Sequence, residues 1–141
     1  MSKTGPILLI EDDIDDKELF AMAIKDLGVP NEVIWFRSGE KGYDYLSSTD
    51  KSVFVIFCDI NMPLLNGLDF KKSIDDDPVL RQKSIPFVFY STSANQRDVN
   101  EAYTHLAVQG FFKKKTEFKA MKEEIRLILD YWRNCIHPNT Q

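Results

Sequence analysis

Two short runs in this chain, Ile7–Ile10 and residues 53–58, are apolar at every position, and each stops abruptly on a carboxylate. A strand with no polar alternation has no face to turn to water. It belongs in the middle of a sheet covered on both sides, the usual setting of parallel strands in α/β proteins. The first run passes straight into Glu11-Asp12-Asp13, the second into Asp59-Ile60-Asn61-Met62-Pro63. In open α/β sheets, ligands bind at the carboxyl ends of the strands. If these two strands are neighbours, three or four carboxyl groups converge on one spot. Like charges in close contact disfavour ionisation, and a divalent cation with oxygen ligands relieves that cost.

The rest of the chain alternates in the same way. Residues 15–27 carry Leu19, Phe20, Ala23, Ile24 and Leu27 on one helical stripe, closed by Gly28 and Pro30. Residues 33–36 form a short strand, and Ser38 is placed to cap a helix with Tyr43 and Leu46 facing inward. Asn66-Gly67 precedes a helix over 68–74, which Asp75-Asp76-Asp77-Pro78 ends, and a polar connection runs to Pro86. Residues 87–90 are the fourth strand, and 96–106 a helix with Val99, Ala102, Tyr103 and Leu106 in register. Residues 110–113 are the fifth strand, and 117–135 a helix striped by Phe118, Met121, Ile125, Ile128, Leu129 and Trp132.

Five strand–helix units predict an α/β fold, a doubly wound (βα)5 of the flavodoxin-like kind. Its five parallel strands run in order 2-1-3-4-5 with helices on both faces. That order makes strands one and three adjacent, as the carboxylates require. The expected domain spans 1–136, followed by a polar tail over 137–141 and no output domain.

At 141 residues the chain fits one domain. Its net charge of −4 argues against nucleic-acid or anionic-membrane partners. No apolar run reaches the ~20 residues that span a bilayer, and the N-terminus lacks the apolar core of a signal peptide. A cytoplasmic location is the expectation. Cys58 and Cys135 form no ligand or redox pair, and Cys58 reads as a small buried hydrophobe.

Four strand ends then share one edge: Glu11-Asp12-Asp13, Asp59, Ser91-Thr92 and Lys114-Lys115. Such a set suits phosphoryl transfer onto a carboxylate, in which the protein mainly positions groups and neutralises charge. Asp59 would be the nucleophile. Asp12 and Asp59 would bind Mg²⁺ directly, with Glu11 reaching it through a water. Lys114 would neutralise a phosphoryl oxygen, and Ser91, favoured over Thr92 by counting from the apolar run, would donate to it. Asp13, Asp15 and Asp16 read as a solvated helix start, Asp75-Asp76-Asp77 as a solvated helix end, His105 as a surface residue and His137 as part of the polar tail.

These residues carry a resemblance. Glu11-Asp12, Asp59-x-Asn61-Met62-Pro63-x-x-Asn66-Gly67, Ser91-Thr92 and Phe111-x-x-Lys114 resemble the receiver domain of two-component response regulators, from about residue 6 to 132. The resemblance implies that Asp59 accepts a phosphoryl group from a histidine kinase or phosphotransfer protein. It implies that Glu11, Asp12 and the Asn61 backbone carbonyl hold Mg²⁺ beside Asp59, and that Ser91 and Lys114 read the phosphoryl group. It further implies that Ser91 and Phe111 move together on activation.

Two positions depart from the pattern. Lys115 stands where the family usually has a proline after a cis bond, and a trans bond is expected here because cis costs about 2.5–4 kcal/mol before a non-proline residue. Phe111 stands where tyrosine is common. Asn61 and Ser93 flank the site and are expected to tune hydrolysis by controlling water. Output is expected through binding of a downstream protein, or of a second copy, at the helix-four, strand-five, helix-five face. No enzymatic turnover is expected beyond phosphorylation and dephosphorylation at Asp59. Two rivals are a pseudo-receiver that binds partners constitutively and an aspartate-nucleophile phosphatase. The phosphatase needs an acid two residues after its nucleophile, where this chain has Asn61.

Overall fold

A computed structural model describes residues 2–138 apart from 63–64, 93–94 and 107. A 3₁₀ turn at Ser2–Thr4 leads into β1 (Ile7–Ile10), α1 (Ile14–Asp26), β2 (Val33–Phe36), α2 (Gly39–Ser48), β3 (Val55–Cys58) and α3 (Gly67–Asp76). The chain continues through α4 (Pro78–Lys83), β4 (Phe87–Ser91), α5 (Gln96–His105), β5 (Gly110–Lys113) and α6 (Phe118–Asn134). All strand pairs are parallel, in the order β2-β1-β3-β4-β5, so the flavodoxin-like winding is as expected. Ile10 lies beside Cys58, which brings Glu11 and Asp59 to the same edge.

Period-2 alternation divides the buried strands between two apolar layers. Ile7 and Leu9 of β1, Val55 and Phe57 of β3, and Val88 and Tyr90 of β4 face α1 and α6, against Phe20, Ile24, Ile125 and Leu129. Leu8, Ile10, Ile56, Cys58, Phe87 and Phe89 face the other way, toward Leu46 of α2, Phe70 and Ile74 of α3, and Ala102 of α5. Every residue of β1, β3 and β4 is buried, as the uninterrupted apolar runs require, whereas the edge strand β2 is half-buried throughout. Cys58 is fully buried, and burial pushes its thiol well above the ordinary range.

The helices start where short polar side chains stand ready to accept. Ser38 caps α2 as expected. Asp13 caps α1 by accepting from Asp15 N and Asp16 N, Asn66 caps α3, and Asn95 caps α5. Gly28 takes φ +68° just past α1, the left-handed conformation that glycine tolerates.

Several expectations need correction. The connection from Asp77 to Pro86 is not merely polar. Asp77 accepts from Val79 N and Leu80 N, Pro78 supplies a pre-set φ in the first turn, and α4 results. Of the acidic run 75–77 only Asp76 is the exposed group expected of a solvated end: Asp75 pairs with buried Lys71 at 2.8 Å, and the Tyr43 hydroxyl donates to Asp77 at 2.6 Å. Leu19 and Tyr103 are exposed rather than core-facing. The α1 stripe centres on Phe20, Ala23 and Ile24 and leaves Leu19 on its rim, and α5 buries only the small Ala102.

The largest correction concerns the C-terminus. His137, read as the start of a polar tail, is 1% exposed. Its ring stacks on Phe54, and its Nε2–H donates to the Phe54 carbonyl at 2.6 Å. Beside it Arg133 donates to Asn31 Oδ1, Asn31 Nδ2 donates to the carbonyls of Lys3 and Gly5, and Lys3 Nζ donates to the Arg133 carbonyl. Chain start and α6 end are thereby tied together at the amino edge of the sheet.

Candidate functional site

At the carboxyl edge, β1 and β3 deliver the acids side by side. The Asp59 N–H donates to the Ile10 carbonyl at 3.0 Å, continuing the β1–β3 ladder one residue past the strand. Glu11 N donates to the Phe36 carbonyl on the other flank. The Trp35 indole N–H donates to the Glu11 carbonyl at 2.7 Å. The Glu11 and Asp59 backbones are therefore held by sheet and indole rather than carried on a free loop.

Gly67 closes the turn after β3. Its N–H donates to the Ile60 carbonyl at 2.9 Å, and a Cβ there would lie 2.2 Å from the Asp59 carbonyl oxygen. The sequence signalled Asn66-Gly67 as a break; the reason for the glycine is this close approach to the acceptor's own backbone.

The expected partners of Asp59 converge on it. Ser91 Oγ donates to Asp59 Oδ1 at 2.6 Å, and Asn61 N donates to the same oxygen at 3.3 Å. Lys114 Nζ stands 3.5 Å from Asp59 Oδ2. Ser91, not Thr92, is the inward hydroxyl: Ser91 is fully buried at the end of β4, and Thr92 is exposed. Strand alternation likewise leaves Lys113 and Lys115 exposed and turns Lys114 inward. The Lys114 N–H donates to the Ser91 carbonyl at 2.8 Å, and the Lys114–Lys115 bond is trans as expected. Phe111 is half-buried, with its ring 5.6 Å from that of Phe89. Asn61 points its side chain to solvent. Ser93 and Pro63 lie outside the described residues.

Glu11, Asp12 and Asp59 each place a carboxylate oxygen within 4.8 Å of the others, with Glu11 at 2% and Asp59 at 7% exposure. Lys114 is the cation that the described residues bring to them. Burial pushes the Glu11 carboxyl up to about 8, against the pull of its hydrogen bond from Lys114, and the Asp59 charge adds to the rise. Burial also works against the charged form of Lys114, but its contacts with Glu11, Asp59 and Asp16 outweigh this and raise its pKa. An excess of buried negative charge with hard oxygen donors fits a small divalent cation such as Mg²⁺.

Sequence reasoning missed one carboxylate partner of Lys114. Asp16, read as solvated helix start, accepts from Lys114 Nζ at 3.0 Å through Oδ2. Asp16 follows the Asp13 cap in the first turn of α1, and nothing in the local sequence pattern sets it apart from its exposed neighbour Asp15.

Comparison with known proteins agrees with this geometry. The model of the response regulator receiver domain matches residues 7–126. The phosphorylated cyanobacterial phytochrome response regulator RcpA is 28% identical over 92% of this chain and 94% of its own, with a TM-score of 0.81. A receiver domain from Rhodospirillum rubrum is 27% identical over 96% and 99%, with a TM-score of 0.80. The Mn²⁺-bound response regulator Rcp1 is 27% identical over 92% and 95%, with a TM-score of 0.78. No curated protein sequence matches the chain. With a five-stranded 2-1-3-4-5 sheet, an acidic pocket at its carboxyl edge and a family match over most of its length, the chain belongs to the response regulator receiver domain family.

Proposed function

We propose that the chain is a working phospho-acceptor of a two-component relay, with Asp59 receiving the phosphoryl group of a histidine kinase or phosphotransfer protein. The observation that carries this reading is the position of Asp59, buried at a strand end with Ser91 at 2.6 Å on one oxygen and Lys114 at 3.5 Å from the other. One Asp59 carboxylate oxygen forms the bond to phosphorus as the phosphohistidine P–N bond breaks, and the leaving imidazole takes up a proton from solvent. Ser91 and Lys114 then hold the phosphoryl oxygens by charge-assisted hydrogen bonds.

Glu11, Asp12, Asp59 and the Asn61 backbone carbonyl would hold Mg²⁺, whose charge neutralises phosphoryl oxygens when it is bound. The Mn²⁺-bound relative supports a divalent ion, and the phosphorylated relative supports the modification. No protein group acts on an external substrate in this reading, so phosphorylation and hydrolysis at Asp59 are the whole chemistry. Asn61 and Ser93 would set the lifetime of the phosphoryl group by governing water.

Output follows from a two-state equilibrium that phosphorylation biases. Ser91 and Phe111 are the switching pair, and the face of α5, β5 and α6 meets a downstream protein or a second copy. α4 shifts the helix numbering here: the helix expected fourth is α5. The receiver domain, expected to end at residue 136, is taken here to include His137, which packs in the body of the fold. No described helix is long and apolar enough to cross a membrane, and a cytoplasmic setting accords with a kinase partner.

The test is intact mass after incubation with acetyl phosphate, with Mg²⁺ or with a chelator. One added phosphoryl group with Mg²⁺ and none with chelator is expected. No gain with Mg²⁺, even when a histidine phosphotransfer protein is the donor, would favour a constitutive interaction module.

A further inference from the structure

Lys114 depends on contacts at its tip more than its neighbours in the site do. β5 ends at Lys113, and beyond the bond to Ser91 the backbone passes through Lys115 and Thr116 to Glu117, which caps α6 without a side-chain hydrogen bond. Lys115 occupies the position after it, so no proline ring fixes φ there. The ammonium has three donors, and three carboxylates surround it: Glu11 at short range, Asp16 at 3.0 Å and Asp59 at 3.5 Å.

Two of those three carboxylates belong to the acidic cluster, where a bound cation or a phosphoryl group competes for them. Asp16 lies outside the cluster. Its backbone is fixed by the Asp13 cap, which accepts from Asp16 N at 3.3 Å, and its side chain is one-third exposed while Lys114 is 8% exposed. Asp16 can therefore keep its hold on Lys114 while Glu11 and Asp59 are engaged elsewhere.

We infer that Asp16 is a positioning residue, a third-carboxylate anchor that keeps the Lys114 ammonium aimed at Asp59 during phosphoryl acceptance. This rests on the reading of Asp59 as the acceptor. Without the anchor the ammonium still reaches the site, but its direction is no longer fixed, and a misdirected charge slows transfer steeply.

The test is the rate of phosphoryl acceptance from acetyl phosphate by intact mass, over a range of donor and Mg²⁺ concentrations. Asp16→Asn is expected to lower the maximal rate about tenfold, with the half-saturating Mg²⁺ concentration unchanged. Asp16→Glu, which restores the carboxylate, is expected to recover most of the rate. Asp15→Asn removes the same charge from an exposed neighbour in the same turn and is expected to match the parent. In a Lys114→Ala background, Asp16→Asn is expected to change nothing; if that background falls below detection, the Asp16→Glu rescue decides. An Asp16→Asn rate equal to the parent's, or a slowing that Asp16→Glu does not relieve, would overturn the inference and leave the proposed function standing. Failure of the parent itself to accept phosphate overturns both.

Discussion

The two edges of the sheet bury polar groups to opposite ends. At the amino edge His137, Asn31, Arg133 and Lys3 satisfy one another and four backbone carbonyls, those of Lys3, Gly5, Phe54 and Arg133. At the carboxyl edge Glu11, Asp16 and Asp59 crowd around Lys114, Asp12 joins Glu11 and Asp59, and Glu11 is driven toward its neutral form by burial. The first arrangement stabilises the resting fold. The second leaves charge uncompensated until something else arrives, which is what a binding and transfer site requires.

The contrast is sharpest in what mutation should do. His137→Ala removes a buried ring and orphans the Phe54 carbonyl, and should lower unfolding free energy by about 3 kcal/mol in urea titrations. An unchanged midpoint would mean that the C-terminal tie contributes nothing. Mg²⁺ at a hundredfold excess over its dissociation constant should raise stability by about 2.7 kcal/mol through linkage. Asp12→Asn should lose most of that gain, and Trp35, bonded to the Glu11 carbonyl, should report the binding by fluorescence. Gly67→Ala forces the 2.2 Å clash with the Asp59 carbonyl and should cost about 2 kcal/mol together with phosphoryl acceptance. In chelator, Asp12→Asn should instead stabilise by about 1 kcal/mol, because it removes one of the like charges.

The pH dependence separates the edges by sign. Burial, with help from the Lys3 charge, lowers the His137 pKa despite the bond to the Phe54 carbonyl. The unfolded chain therefore takes up this proton first, so the His137 contribution is complete above about pH 6.5 and is lost as pH falls toward its folded value. Glu11 runs the other way. With its pKa raised to about 8, the fold binds the proton more tightly than the unfolded chain, and stability declines as pH rises from the ordinary carboxylate range to about 8. In chelator, His137→Gln should flatten the acid limb and Glu11→Gln the neutral-to-basic limb. Swapped effects would break the comparison.

The carboxyl edge was legible because its residues sit at the ends of apolar runs, where chemistry and strand termination coincide. Glu11, Asp12, Asp59, Ser91 and Lys114 all appear where the runs placed them. The sheet order was legible because all-apolar strands leave few windings. Asp16 and Gly67 were not, since each acts through a contact across the fold that local pattern does not encode. α4 was missed because six residues carry too little periodicity, although the Asp77-Pro78 cap was present in the sequence. His137 was missed because hydropathy describes the residue type, whereas its burial depends on a ring to stack on and a carbonyl to receive its proton.

The most direct measurement is to treat the protein with acetyl phosphate and Mg²⁺, reduce it with borohydride, and sequence the peptides, since an acyl phosphate on aspartate is converted to homoserine. Homoserine at position 59 alone, absent from Asp59→Asn, is the result this account predicts. Homoserine at Asp12 or Asp16, or at no position in protein that has gained phosphate, would contradict it.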